Sequence, residues 1–102
     1  MNFSLIICTY NRRLAIETLM NSIAHQSLYP NQIVIVDGSL NDATKKYFET
    51  ANFKNVAYYL VDDATRGLTK QRNFGISKVA HSSEIICFLD DDTILDASYF
   101  SE

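Results

Sequence analysis

The chain has 102 residues, 47% of them hydrophobic, which is the size and composition of one small globular domain. Its formal net charge is −3, and its nine scattered Lys and Arg residues form no basic face, so nucleic acid is excluded as a partner. No apolar run approaches the roughly 20 residues that a membrane-spanning helix needs. The two cysteines lack the spacing of a zinc site or a disulfide framework.

The first part of the chain predicts two strands around a helix. Leu5–Cys8 and Ile33–Val36 are continuous runs of mostly branched apolar residues, which is typical of strands covered on both faces in a parallel sheet. Between them, apolar residues recur at the spacing of an amphipathic helix, for which Asn11 is the expected N-cap. These helical residues are Ile16, Leu19, Met20 and Ile23.

A short helix and a third strand follow. Asn41 or Asp42 is suited to cap the helix, because short polar side chains accept hydrogen bonds from the first helical N–H groups. Val56–Val61 is a further apolar run, which we expect at the periphery of the sheet. The side chains expected on one side of the helix are Ala43, Tyr47 and Phe48.

A third helix and a fourth strand complete the pattern. The helix is predicted from Thr69 to about Ala80, and Gly75 within it indicates close packing or a bend, because glycine there costs up to ~1 kcal/mol. The strand is Ile85–Leu89. We expect Cys87 in this run, and Cys8 in the first, to be small buried hydrophobes. The helical side chains expected to face the sheet are Ile76, Val79 and Ala80.

The alternating order of strands and helices predicts an α/β fold. Residues 1–102 would form one three-layer α/β/α domain, Rossmann-like, around a mostly parallel sheet. Polar clusters follow three of the strands, at Thr9–Asn11, Asp37–Ser39 and Asp90–Thr93. Ligands of open parallel sheets bind at the carboxyl ends of strands, so these clusters are expected to share one edge. The first cluster also suits a helix cap, and the second an ordinary turn.

The acidic cluster predicts a cation site. Three adjacent carboxylates, Asp90–Asp92, repel one another, and hard oxygen ligands select Mg²⁺, Mn²⁺ or Ca²⁺; a solvated turn is the alternative. The chain has neither Gly-rich phosphate motif, so a diphosphate would be bound through the metal. At about 4 Å and an effective dielectric of ~20, a divalent ion gains about 8 kcal/mol from one unit charge. The basic segment Arg66–Asn73 is either a solvated helix start or a phosphate contact through Lys70 or Arg72.

Four segments together resemble the N-terminal half of a family 2 glycosyltransferase with the GT-A fold. Their order and spacing are those of the family, and they span nearly the whole chain, which is more specific than a lone DxD motif. Cys8 stands where proline is commoner in the family. The segments are similar to the first strand with its Thr-Tyr-Asn-Arg turn, the second strand with its Asp-containing loop, the helix before the metal strand, and the DxD-type motif: Ser4–Arg12, Gln32–Asp42, Arg66–Ile76 and Phe88–Asp92.

The resemblance implies that a nucleotide sugar binds at the strand ends. Thr9 and Tyr10, with Asn11 beside them, would line the pocket for the nucleobase and ribose. Asp37 would accept a hydrogen bond from the base, which is typically uracil in this family. The sugar would be transferred from its nucleoside diphosphate to the hydroxyl of a saccharide or lipid-linked acceptor, with inversion, as in polysaccharide biosynthesis.

The resemblance also implies how the diphosphate is bound. Lys70 and Arg72 would flank the base or the diphosphate. Asp90 and Asp91 would contact the nucleotide or bridge to the metal shell, and Asp92 would bind Mg²⁺ or Mn²⁺, although the assignment within this triplet can shift by one residue. The metal would stabilise the leaving nucleoside diphosphate.

The sequence departs from the family at its end. The acceptor region and the acidic general base that normally follow are absent before Glu102, and Asp96 lies too close to the metal motif to serve. We therefore expect a truncated GT-A domain that binds nucleotide and metal without turnover. Its exposed apolar surface would favour self-association. The expected location is the cytoplasm, with membrane association of the full-length protein.

The sequence bears on three other interpretations. A nucleotidyltransferase would have a Gly-rich loop with a basic residue after the first strand, and Thr9–Arg12 contains no glycine. A receiver-like signalling domain needs paired acids at the same place, which this chain lacks. A non-catalytic nucleotide-binding domain has the same sequence features as the enzyme and stays open.

Overall fold

A computed structural model describes residues 3–79 and 85–91, apart from the side chain of Asp90. All four strands are parallel, in the spatial order β3-β2-β1-β4, which confirms the predicted α/β fold. The strands are β1 Phe3–Thr9, β2 Gln32–Asp37, β3 Val56–Leu60 and β4 Ile85–Asp90. The helices are α1 Arg13–Ala24, α2 Ala43–Thr50 and α3 Leu68–Lys78.

The central strand β1 is buried on both faces. Leu5 and Ile7 belong to the core cluster that includes the apolar face of α1. Ile6 points the other way, into a second cluster with residues of β2 and α3. Successive side chains of a strand face opposite sides, so a sheet between two helical layers requires a continuous apolar run. Each fully buried aliphatic side chain gains about 1.5–3 kcal/mol relative to exposure.

The predicted apolar face of α1 is confirmed, but its predicted cap is wrong. All four predicted core residues of α1 are fully buried. The N-cap position is Arg12 rather than Asn11, with no side-chain capping bond. Asn11 instead adopts a φ of 51°, in the left-handed region that Asn tolerates better than most residues. At α2, Asn41 accepts a hydrogen bond from the N–H of Ala43.

Two expectations about packing need correction. Ile76 of α3 is 47% exposed, because the face of α3 turned to the sheet is that of Gln71 and Gly75. Val79 packs against the second core cluster as predicted, and Ala80 lies outside the described residues. Both cysteines are half-buried rather than buried. Within the described ranges, no helix is long and apolar enough to cross a bilayer.

The predicted close packing at Gly75 is confirmed. A Cβ atom there would lie 2.5 Å from Cγ2 of Ile6. The missing side chain lets α3 approach the sheet, which places the start of α3 beside the carboxyl ends of β1 and β2.

Candidate functional site

The site lies where the strand order reverses. From β1 the chain proceeds to β2 and β3 on one side, and then returns to place β4 on the other side of β1. In open parallel sheets a crevice forms at the carboxyl ends of the two strands on either side of such a reversal, here β1 and β4. A cavity of about 450 Å³ is found there. Among the described residues it is lined by Cys8, Thr9, Tyr10, Arg12, Arg66, Gly67, Leu68, Gln71 and Asp91.

Thr9 and Asp91 join the ends of β1 and β4. The Thr9 hydroxyl donates a 2.9 Å hydrogen bond to Oδ2 of Asp91, across 82 residues of sequence. The other carboxylate oxygen of Asp91 lies 3.7 Å from a guanidinium nitrogen of Arg12. The Asp91 side chain is 12% exposed, so it is a largely desolvated carboxylate on the cavity wall. A hydrogen bond to an ionised group of this kind contributes about 1.5–3 kcal/mol.

Asp37 lies level with Thr9 in the sheet but is fully buried. Its Oδ1 accepts bonds of 2.9 Å and 2.5 Å from the N–H and hydroxyl of Ser39, and its Oδ2 accepts one from the hydroxyl of Tyr58. Burial is the largest cause of the raised pKa of Tyr58, and this bond to Asp37 is the next largest. The Asp37 carboxylate therefore connects the loop that follows β2 with strand β3.

Asn11 ties the loops after β1 and β2 together. Its Oδ1 accepts a 2.9 Å hydrogen bond from the N–H of Leu40, and its own N–H donates a 2.8 Å bond to the hydroxyl of Ser39. The side chain is exposed and outside the described lining of the cavity. In this arrangement, Asn11 shapes the rim of the site.

The basic wall of the cavity is formed by Arg66. Its Nε donates a 2.6 Å bond to the carbonyl of Gly38, and its guanidinium pairs with Asp63. Lys70 is exposed, and the guanidinium of Arg72 lies 5.4 Å from the centre of the Phe88 ring. Neither Lys70 nor Arg72 is part of the described cavity lining.

Cys8 also lines the cavity, as a neutral thiol. Burial raises its pKa from 9.0 to about 11, while nearby Arg72 lowers it and Asp91 raises it. The reactive and metal-binding form of cysteine is the thiolate, so Cys8 contributes neither a ligand nor a nucleophile near neutral pH.

The structure thus brings three of the predicted residues to one cavity: Thr9, Tyr10 and Asp91. It places others of them outside the described lining, at Asn11, Asp37, Lys70 and Arg72. The side chain of Asp90 and the whole of Asp92 lie outside the described residues. Among those described, no three or more His, Cys, Asp or Glu side chains form a metal-binding group.

Sequence reasoning missed three polar residues of the cavity: Arg12, Arg66 and Gln71. Arg12 and Arg66 had a weak signal, because each is the terminal residue of a segment already singled out, Ser4–Arg12 and Arg66–Asn73. Gln71 also had a weak signal in the sequence, because it lies four residues before Gly75 and therefore on the same face of α3.

A parallel sheet with a polar cavity at its switch point is the arrangement in which open α/β domains bind their ligands. The chain matches the model of Glycosyl transferase family 2 over residues 4–102, and it belongs to this family. The structure also resembles those of GT-A glycosyltransferases, which confirms the predicted fold. It resembles S. aureus TarS 1-349 in complex with UDP, with a TM-score of 0.82 and 27% identity over 99% of this chain and 30% of that one.

Two further similarities point the same way. The mannosyltransferase PcManGT from Pyrobaculum calidifontis, in complex with GDP-Man and Mn²⁺, has a TM-score of 0.72 and 26% identity over 94% of this chain and 29% of its own. The O-antigen chain rhamnosyltransferase RfbN of Salmonella typhimurium is 27% identical over 93% of this chain. The chain spans only 29% of the length of that relative.

Proposed function

We propose that this chain forms the donor-binding part of an inverting glycosyltransferase, which binds a UDP-linked sugar in the cavity between β1 and β4. The sugar would pass to the hydroxyl of a saccharide or lipid-linked acceptor. The observation that carries the proposal is the bond between Thr9 and Asp91 at the wall of a cavity of about 450 Å³. This volume is within the range of roughly 300–1,000 Å³ that small-molecule sites occupy.

The charges around the cavity suit a diphosphate. Arg12 and Arg66 both line it, and so do Gly67 and Leu68 at the start of α3. Helix N-termini carry a partial positive charge and unpaired N–H groups, which bind phosphate oxygens. The cavity lining thus includes basic residues suited to the anion and the acidic Asp91 suited to a cation.

The residues present fit a hard divalent cation. Asp91 supplies carboxylate oxygens at the cavity wall, and ions such as Mg²⁺ commonly bind one or two carboxylates together with substrate phosphates. We propose that Asp91, with the neighbouring Asp92, would hold Mg²⁺ or Mn²⁺. When bound, the ion would supply positive charge to the leaving nucleoside diphosphate.

Arg12 prepares Asp91 for this role. Its guanidinium lies 3.7 Å from one oxygen of the carboxylate, while the other oxygen accepts the Thr9 hydroxyl, so the two residues orient the carboxylate at the cavity wall. The free thiols Cys8 and Cys87 suit a reducing compartment, so we place the protein in the cytoplasm.

Thermal melts test the proposal. UDP, GDP, dTDP and CDP are each added with and without Mn²⁺, and UDP with Mn²⁺ is expected to give the largest rise in melting temperature. At 100 times the Kd the gain is about 2.7 kcal/mol. For a domain of this size each kcal/mol corresponds to about 4–8 °C.

Two matched variants separate a specific site from a general charge effect. Asp91→Asn keeps an acceptor for Thr9 but removes the charge, and it is expected to abolish the Mn²⁺-dependent part of the shift. Asp62→Asn makes the same charge change at an exposed position just after β3, outside the described cavity lining, and should leave the shift intact. A flat response to the whole nucleotide panel refutes the proposed function.

A further inference from the structure

Gln71 is a buried amide at an otherwise exposed helix start. Lys70 and Leu68 in the same turn of α3 are exposed, whereas Gln71 is only 4% exposed. Burying an amide without hydrogen bonds costs free energy, so a glutamine at such a position needs partners.

Those partners belong to three different segments of the chain. The side-chain NH₂ of Gln71 donates to the carbonyl of Val36 in β2 at 2.9 Å and to the carbonyl of Thr9 in β1 at 3.3 Å. Its Oε1 accepts a 3.1 Å bond from the N–H of Gly67. One side chain therefore links the ends of two strands to the turn that begins α3.

Gly38 makes room for this amide. A Cβ atom at Gly38 would lie 2.7 Å from Oε1 of Gln71 and 3.2 Å from Cγ of Arg66. The Gly38 carbonyl in turn accepts the Nε bond of Arg66. Gly38 thus lies against the amide of Gln71 and also binds the side chain of Arg66, which lines the cavity.

We infer that Gln71 is a positioning residue of the nucleotide site: its amide holds Thr9 and Gly67 in the arrangement that receives the ligand. This inference rests on the proposed function. Both of these residues line the cavity, as Gln71 itself does. Losing the amide moves cavity walls relative to one another, so ligand affinity should fall by more than a loss of stability alone would explain.

Three variants of the full chain test this. Gln71→Met keeps the size and removes the hydrogen bonds. Gln71→Glu keeps the acceptor for Gly67 but sets a carboxylate oxygen against two carbonyls, and protonation of that carboxyl restores a donor. Gln26→Met is the matched control, because Gln26 is a buried glutamine. It follows α1, at the end of the strands opposite to the cavity.

The readouts are the Kd for UDP with Mn²⁺ by calorimetry, well below the melting temperature, and the melting temperature itself. Gln71→Met is expected to raise the Kd about tenfold, the equivalent of one net hydrogen bond. Gln26→Met should lower the melting temperature while leaving the Kd within about twofold, as expected for a site distant from the ligand. For Gln71→Glu, the ratio of the variant Kd to the parental Kd should fall towards one as the pH is lowered and the introduced carboxylate is protonated.

Each outcome decides between the two claims. A parent chain that binds no nucleoside diphosphate ends the proposed function and this inference with it. A parent that binds, with Gln71→Met at the parental Kd, overturns the inference and leaves the proposed function standing. If Gln71→Met does not fold, Gly38→Ala decides instead, because its Cβ displaces the amide: a raised Kd supports the inference, and an unchanged Kd overturns it.

Discussion

Replacing Gly75 by alanine sets two effects of opposite sign against each other. Alanine in a helix interior is favoured over glycine by about 1 kcal/mol, so helix propensity alone predicts a more stable protein. In the structure, however, the new Cβ would lie 2.5 Å from Cγ2 of Ile6 and 3.4 Å from Cγ2 of Val36. Both neighbours are buried β-branched residues of the sheet, which cannot swing aside as the end of a flexible chain can.

Overpacking of this kind costs about 1–3 kcal/mol, and the contact with a β-branched strand residue favours the upper part of that range. After the propensity gain, we expect a net loss of about 1–2 kcal/mol and a melting temperature lower by roughly 4–16 °C. Urea unfolding followed by circular dichroism measures it. Ser77→Ala, on the exposed face of the same helix, should stay within about 0.5 kcal/mol of the parent. A Gly75→Ala protein as stable as the parent would show that α3 is not packed this closely.

Two further predictions concern the cavity. Thr9→Val keeps the shape of the side chain but removes the bond to Asp91, and it should cost about 1.5–3 kcal/mol in urea unfolding, whereas Thr18→Val on an exposed helical face should cost little. An equal loss in both variants would contradict the geometry. At pH 8 the raised pKa of Cys8 leaves about one hundredfold less thiolate than in the unfolded chain, so iodoacetamide should alkylate it correspondingly more slowly. Because this pKa rises from 9.0 to about 11, the stability linked to the protonated thiol is present below pH 9 and is lost as the pH rises towards 11. Rapid alkylation of Cys8 at pH 8 would refute the raised pKa.

The strands were predictable because a strand that is buried on both faces requires an unbroken run of apolar residues in the sequence. Leu5–Cys8 and Ile33–Val36 are unbroken apolar runs, and each lies within an observed strand that extends one or two residues further. The meeting of Thr9 with Asp91 was also accessible, since parallel strands bring their carboxyl ends to one edge.

The partners of buried polar groups were not predictable in the same way. The sequence places Asp37 in a Gly-Ser turn, but nothing local shows that Tyr58, 21 residues later, would donate to it. Gln71 reads as one polar residue of a basic helix start, and its burial depends on how closely α3 approaches the sheet. Ile76 was expected in the core because it is apolar. In the structure Gly75 faces the sheet, so the next residue, Ile76, faces outward.

The position of β1 determines when its pairing with β4 can form during synthesis. Of the four described strands β1 is the first to be made and β4 is the fourth, yet the two are neighbours in the sheet. Thr9 and Asp91 are 82 residues apart, which at about 5–20 residues per second is a delay of roughly 4–16 s on the ribosome. Throughout that interval one edge of β1 has no strand paired to it, and the bond between Thr9 and Asp91 can form only after Asp91 has emerged.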